Sequence, residues 1–230
     1  ASTIMQGVLP LAAAFDKFDS DGSGGIGAKE LRAALSYLGI DANEGTASAI
    51  LSQYDDHPQN VLDIKEFASV VRDVQIMLTF DSDGDGQLDS AELRAALRSL
   101  GLEVSAEQVD KILRRFDVDR SGTIDLVELG SLIRTTQAFV RYDADKSGSI
   151  EIDELRDALR KLGVRAGSLE AADIFRKYDA DDSGTLELYE FATLVRDLQL
   201  YATFDTNFDG VIDEEEFQSA LHQIGFRLSL

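Results

Sequence analysis

The sequence contains no cysteine, which excludes disulfides and thiolate metal sites and suits reducing and oxidising compartments alike, so the compartment stays open. No run approaches about eighteen apolar residues, and the start at Ala1 carries neither a basic-plus-apolar leader nor a myristoylation signal, so membrane insertion is not expected. Basic residues are few, 22 Lys+Arg against 43 Asp+Glu, and none cluster into a run that could track a phosphate backbone. Nucleic acid and anionic membranes are therefore poor partners. Also missing are H-E-x-x-H, G-x-S-x-G and G-x-x-x-x-G-K-[ST], and with no cysteine nucleophile either, catalysis within this chain is not expected. The first residue is not Met, so the chain is expected to be processed or to be part of something longer.

What is present is carboxylate in a pattern. The net charge is -21, and 44% of the residues are hydrophobic, enough for a folded core. Such an acid excess repels itself unless cations neutralise it. Asp19, Asp81, Asp143 and Asp205 open similar stretches 62 residues apart, and Asp55, Asp117 and Asp179 form a second series with the same period, offset by 36. Loop starts thus alternate in spacing between 36 and 26 residues.

Apolar residues after each loop fall at helical spacing, as in Leu31, Ala34, Leu35 and Leu38, or Leu93, Ala96, Leu97 and Leu100, which predicts an amphipathic helix behind each loop. In the longer intervals that helix should stop at Gly39, Gly101 or Gly163, with a new one beginning several residues later. Ser105 with Gln108 reads as a capping box. In the shorter intervals the segments run unbroken, as in Ile64 to Phe80 and Leu188 to Phe204. One helix then serves two loops, with Gly130 as the one breaker. Phe18, Phe80, Phe116 and Phe204 precede loops at helical positions and are read as core.

The stretch from Asp81 to Glu92 fits D-x-[DN]-x-[DN]-G-x₅-E throughout. A hard cation such as Ca²⁺ takes about six to eight oxygens, and a twelve-residue loop supplies them from positions 1, 3, 5, 7, 9 and 12. Here these are Asp81, Asp83, Asp85, the Gln87 carbonyl, Asp89 and a bidentate Glu92. Glycine at position 6 allows the sharp turn.

Seven loops of this kind at fixed spacing resemble the EF-hand (calmodulin) superfamily over nearly the whole chain. The resemblance implies five further Ca²⁺ ligand sets: Asp19, Asp21, Ser23, Gly25 and Glu30; Asp117, Asp119, Ser121, Thr123, Asp125 and Glu128; Asp143, Asp145, Ser147, Ser149, Glu151 and Glu154; Asp179, Asp181, Ser183, Thr185, Glu187 and Glu190; and Asp205, Asn207, Asp209, Val211, Asp213 and Glu216. Gly27 at position 9 of the first set leaves that ligand to water, so weaker binding is expected there. The loop 55–66 departs most: Asp55, Asp63 and Glu66 keep positions 1, 9 and 12, but His57, Gln59 and Asn60 replace the residues at 3, 5 and 6, and Pro58 stiffens the turn. It is expected to be structural and empty. His57 is read as a lone exposed histidine, not a metal ligand. About six Ca²⁺ ions would add twelve positive charges and bring the net charge from -21 to -9. Mg²⁺, which demands near-ideal octahedral geometry, should occupy little.

The implied fold is all-α: tandem helix–loop–helix pairs joined by shared continuous helices, with short two-stranded contacts between paired loops. At loop position 8, Ile26 should meet Leu62, Leu88 should meet Ile124, and Ile150 should meet Leu186, leaving Ile212 unpaired. Boundaries falling within shared helices give pairs at 1–72, 73–134 and 135–196 and a single motif at 197–230. The arrangement resembles the penta-EF-hand group extended by one pair, and proteins of that group dimerise through their unpaired last motif. Against that, Gly225 to Leu230 mirror Gly101 to Ala106, as if an eighth motif followed. The favoured expectation is a Ca²⁺ sensor or Ca²⁺-responsive interaction module with protein partners or self-association. With only Met5 and Met77, a promiscuous Met-rich groove is not expected. A Ca²⁺ buffer, or the regulatory region of a larger protein or enzyme, are the alternatives.

Overall fold

A computed structural model describes residues 11–55, 57, 59–161 and 168–201. Among these residues ten helices follow one another: α1 (Leu11–Phe18), α2 (Ala28–Leu38), α3 (Glu44–Tyr54), α4 (Ile64–Phe80), α5 (Ser90–Ser99), α6 (Ala106–Phe116), α7 (Leu126–Tyr142), α8 (Ile152–Lys161), α9 (Ser168–Tyr178) and α10 (Leu188–Tyr201). The fold is all-helical. Extended structure among the described residues is confined to three isolated antiparallel bridges, Ile26 with Leu62, Leu88 with Ile124 and Ile150 with Leu186, the three pairings expected from loop position 8.

Helix ends follow local chemistry. In α2, Leu31, Ala34, Leu35 and Leu38 line one buried stripe, and Gly39 ends it at φ 96°, its amide donating back to Leu35 and Ser36 carbonyls. Gly101 takes φ 93° behind α5. Ser105 N–H donates to Gln108 Oε1 at 2.8 Å and Gln108 N–H to Ser105 Oγ at 3.2 Å, the reciprocal box that starts α6. Asn43 caps α3 by accepting the Thr46 amide at 2.9 Å. The expected stop at Gly163 lies outside the described residues.

Helices α4 and α7 each run unbroken for 17 residues between consecutive loops, about 25 Å at 1.5 Å per residue. Gly130, the one breaker expected to weaken such a connection, sits inside α7 without interrupting it. Its role is close approach, because a Cβ there would lie 2.3 Å from the Tyr54 hydroxyl of α3.

The described chain forms two compact units. One holds the described residues up to Ala96 together with Phe116–Ile133; the other holds Leu97–Arg115 together with the described residues from Arg134 onward. In the first, Phe15 and Phe67 meet edge to face at 5.8 Å, and Ile26, Leu35, Leu62 and Val74 are fully enclosed. The buried Asp73 is satisfied by the Tyr54 hydroxyl at 2.6 Å and Arg72 Nε at 2.8 Å, as a desolvated carboxylate requires. In the second, Phe139 meets Phe191 at 5.6 Å and Ile150, Leu155 and Leu186 are enclosed. Of the phenylalanines read as core, Phe18 and Phe116 are buried, but Phe80 is only half-buried, since the last turn of α4 runs past the packed part of its helix. Phe204 lies outside the described residues. No helix among the described residues is long and apolar enough to cross a membrane.

Candidate metal centres

Each loop is built around two carboxylates that gather backbone amides. The first is the aspartate at position 1. Asp19 accepts the Ser23 and Gly24 amides at 2.9 Å each; Asp117 accepts Ser121 and Gly122 at 2.9 and 2.8 Å; Asp143 accepts Ser147 and Gly148 at 2.9 Å; Asp179 accepts Ser183 and Gly184 at 2.9 and 3.0 Å. Asp81 holds Asp85 and Gly86 the same way at 3.2 and 2.9 Å.

The second is the glutamate at position 12, which ties both ends of the loop. Glu30 accepts the Ser20 and Gly27 amides at 2.8 and 2.9 Å, Glu92 those of Ser82 and Asp89 at 2.7 and 3.1 Å, and Glu128 those of Val118 and Asp125 at 2.7 and 3.1 Å. Glu154 and Glu190 repeat the pattern with Ala144 and Glu151, and with Ala180 and Glu187. The staple puts the position-12 carboxylate across the loop mouth. In sequence terms this requires only a glutamate at the third residue of the exit helix, in its first turn.

Oxygens then converge. In five loops three carboxylates bring ligand atoms within 4.8 Å of one another: Asp19, Asp21 and Glu30; Asp81, Asp83 and Asp85; Asp117, Asp119 and Glu128; Asp143, Asp145 and Glu154; Asp179, Asp181 and Glu190. At position 5 the hydroxyls of Ser23, Ser147 and Ser183 lie 3.1, 2.9 and 3.0 Å from the position-7 carbonyls of Gly25, Ser149 and Thr185, so two further oxygens stand side by side in each of these loops. Oxygen-only donor sets of this kind suit a hard divalent cation. Position 9 does different work: Asp89 and Asp125 accept the amides of Glu92 and Glu128 at 2.9 Å as N-caps of α5 and α7. That use turns one oxygen of each toward the helix.

The electrostatics differ between loops. Burial pushes the Glu128 and Glu190 carboxyls above their ordinary range; they are 7% and 1% exposed. Hydrogen bonds from the Ser23 hydroxyl and amide hold Asp21 below it, and those from the Ser147 amide and hydroxyl do the same for Asp145. At Asp83 the hydrogen bond from the Asp85 amide pulls downward, but desolvation and repulsion from Asp85, Glu92 and Asp81 outweigh it and the net shift is upward. At Asp83 crowding by like charges therefore outweighs the hydrogen bond that would favour its ionised form.

The loop 55–66 keeps the frame, but no three carboxylates cluster among its described residues. Asp55 accepts the Gln59 and Asn60 amides at 2.9 and 2.8 Å, Glu66 accepts the Asp63 amide at 2.7 Å, and Asp63 caps α4. Asn60 takes the glycine position at φ 58°. Position 4 carries a proline in this loop and in none of the others. It is left-handed in all five clustered loops, at Gly22 (68°), Gly84 (76°), Arg120 (62°), Lys146 (60°) and Asp182 (54°), whereas proline is locked near -65°, so Pro58 is incompatible with that turn. His57 is 80% exposed and its Nδ1 stands 3.9 Å from Glu66, so it is exposed as expected but beside an acid. The left-handed residues at position 4 were not foreseen from the sequence, since Arg, Lys and Asp give no signal there. The loop 205–216, with Asp205 through Glu216, lies outside the described residues.

Comparison with known proteins agrees with this geometry. An EF-hand domain pair model matches residues 75–134 and again 135–196, more than half of the chain; an EF-hand domain model matches 11–39 and an EF hand model 202–222. The probable calcium-binding protein CML25 of Arabidopsis thaliana is 33% identical over 132 residues, covering 53% of this chain and 71% of that protein. Calmodulin-like protein 2 of Arabidopsis thaliana is 28% identical over 137 residues, 54% of this chain and 90% of that one. The mitochondrial adenyl nucleotide antiporter SLC25A24 of Danio rerio is 31% identical over 116 residues, 48% of this chain, and the chain spans only 24% of the antiporter's length. A solved structure of a homolog of programmed cell death 6 protein from Leishmania major Friedlin aligns with 69% of this chain and 97% of its own at 30% identity, with a TM-score of 0.48. The chain belongs to the EF-hand family and is a calcium-binding protein.

Proposed function

We propose that the chain is a Ca²⁺ sensor that binds about six ions, in loops 19–30, 81–92, 117–128, 143–154, 179–190 and 205–216, while loop 55–66 serves as a structural partner. The ligands are those named for each loop above, with position-7 residues contributing carbonyls. Loops 19–30 and 55–66 then form one pair (1–72), followed by pairs at 73–134 and 135–196 and a single motif at 197–230. The observation that carries the reading is the set of five preassembled carboxylate clusters, three of which, in loops 81–92, 117–128 and 143–154, stand at ends of the continuous helices α4 and α7. A helix shared by two loops passes any reorientation at one loop to the next, which is what a sensor needs and a buffer does not. Its partners are proteins or a second copy of the chain.

A second reading is a regulatory Ca²⁺-binding region of a larger protein. It is supported by the antiporter match, in which the aligned stretch makes up 24% of that protein.

The test is a calorimetric Ca²⁺ titration with parallel small-angle and static light scattering on the chelated and saturated chain. About six ions with a change in shape or mass is the expected result. Six ions with neither change would make the chain a buffer, and fewer than four would overturn the ligand assignment.

A further inference from the structure

Helix α6 leads directly into loop 117–128, yet its side chains grip a different loop. Gln108 Nε2 donates to Glu187 Oε1 at 2.9 Å, and Lys111 Nζ donates to Asp181 Oδ2 at 3.1 Å and stands 3.7 Å from Glu187 Oε2. Arg115 Nε donates to Thr193 Oγ1 at 3.2 Å and its Nη2 to the Ala192 carbonyl at 3.1 Å. Residues 108, 111 and 115 share one helical face, so α6 lies along loop 179–190 and the start of α10. The lysine is also 4.9 Å from the Tyr189 ring centre, and the Tyr189 hydroxyl donates to the same Asp181 oxygen at 3.1 Å.

Asp181 and Glu187 are positions 3 and 9 of that loop, two of its proposed Ca²⁺ ligands, so an ammonium and the ion draw on the same carboxylates. One period earlier, α3 docks in a comparable way: Gln53, the counterpart of Arg115, donates to Ser131 Oγ at 2.7 Å and to the Val127 carbonyl at 3.0 Å. The counterpart of Lys111 there is Ala49, which brings no charge to Asp119. Of these two docked helices only α6 carries a cation to a loop's ligands.

We propose that Lys111 makes Ca²⁺ binding at loop 179–190 and docking of helix α6 mutually antagonistic: the docked lysine weakens the site, and the bound ion loosens the helix. The reciprocity is thermodynamic, since two cations competing for one pair of carboxylates must each lower the other's affinity by the same factor. Loosening α6 at one loop would alter the entering helix of loop 117–128, giving the array a link that is not made by a shared helix. The inference rests on the calcium reading of loop 179–190.

The experiment is an NMR Ca²⁺ titration of the full chain followed at the Gly184 amide, which hydrogen-bonds Asp179 and so reports on this loop. Lys111→Met should raise the affinity at Gly184 about two- to fivefold, the range of a surface ion pair. Lys177→Met is the control: it removes the same charge from α9 of the same motif, where the ammonium lies 5.2 Å from the Tyr178 ring. Its effect should be clearly smaller. Hydrogen exchange at saturating Ca²⁺ supplies the other side of the linkage, with α6 amides exchanging faster in the native chain than in Glu190→Gln, where this loop is disabled. Equal affinity changes for the two lysine variants, or α6 exchange indifferent to Glu190→Gln, would overturn the antagonism. A Gly184 amide that ignores Ca²⁺ in every variant would overturn the calcium assignment of the loop itself, and the inference with it.

Discussion

Loops 19–30 and 55–66 face each other across the Ile26–Leu62 bridge, with amide-to-carbonyl distances of 2.9 Å in both directions, and they share a frame but not a chemistry. Each opens with an aspartate that gathers two amides and closes with a glutamate that holds the position-9 amide. Among the described residues, only the first brings three carboxylates together. Frame and metal chemistry are therefore separable: the hydrogen bonds that shape a loop come from positions 1 and 12, while the charge that attracts an ion depends also on positions 3 and 5. A degenerate loop can keep its place in a pair because its partner needs a bridge and a packed leucine from it, not an ion.

The comparison can be broken by rebuilding the second loop. The triple variant His57→Asp, Pro58→Gly, Gln59→Asp restores carboxylates at 3 and 5 and frees position 4 to turn left-handed. It should add one ion to the calorimetric stoichiometry, with an affinity of about 0.1 mM or tighter; an unchanged count would mean that something besides these positions keeps the loop empty. Next in size, Glu30→Gln should weaken Ca²⁺ binding at loop 19–30 on the order of a hundredfold, because a bidentate carboxylate becomes a neutral amide. The matching Glu66→Gln should leave the titration unaltered, and a lost ion in that variant would show that loop 55–66 does bind.

The frame is tested by packing. Leu62 and Ile26 are both fully enclosed, so Leu62→Ala and Ile26→Ala should each destabilise the chelated chain by about 2 to 5 kcal/mol, read by urea denaturation. A much smaller loss at Leu62 would demote loop 55–66 from structural partner to spectator.

The smallest effect separates loops by the burial of their glutamates. Glu128 and Glu190 have carboxyls raised by burial, so their contribution to stability is present below their unfolded value of 4.5 and is lost as pH rises through the folded one. In chelator, melting temperature should therefore climb slightly as pH falls from neutral toward about 4.5. Further acidification reverses the trend, as Asp21, Asp145 and Asp181, held low by their hydrogen bonds and for Asp181 at about 2, begin to protonate. Saturating Ca²⁺ should abolish the climb. A flat acid limb in chelator would show that burial of these two glutamates costs nothing.

Much of this architecture was legible beforehand. Helix stops at Gly39 and Gly101, the Ser105–Gln108 box and the unbroken Ile64–Phe80 helix follow from residues whose effects are local, while the three bridges were implied by the resemblance to paired EF-hands. The five carboxylate clusters were legible for the same reason, since a twelve-residue loop carries its own acidic side chains. Less visible was Phe80, whose helical position reads as core but whose turn extends beyond it.

The sequence by itself determined the helices, the loop register, the placing of the loop carboxylates and the charge that calls for cations, because each depends on residues within about a dozen positions of one another. Tertiary structure alone decided that Gly130 is a docking point for α3 and not a break in α7, that Glu128 and Glu190 are buried acids, and that Lys111 meets a loop 70 residues away. Those facts depend on which helix packs against which loop, and no local pattern encodes that: an ammonium on an amphipathic helix looks like a solvated surface charge until a neighbouring carboxylate fixes its place.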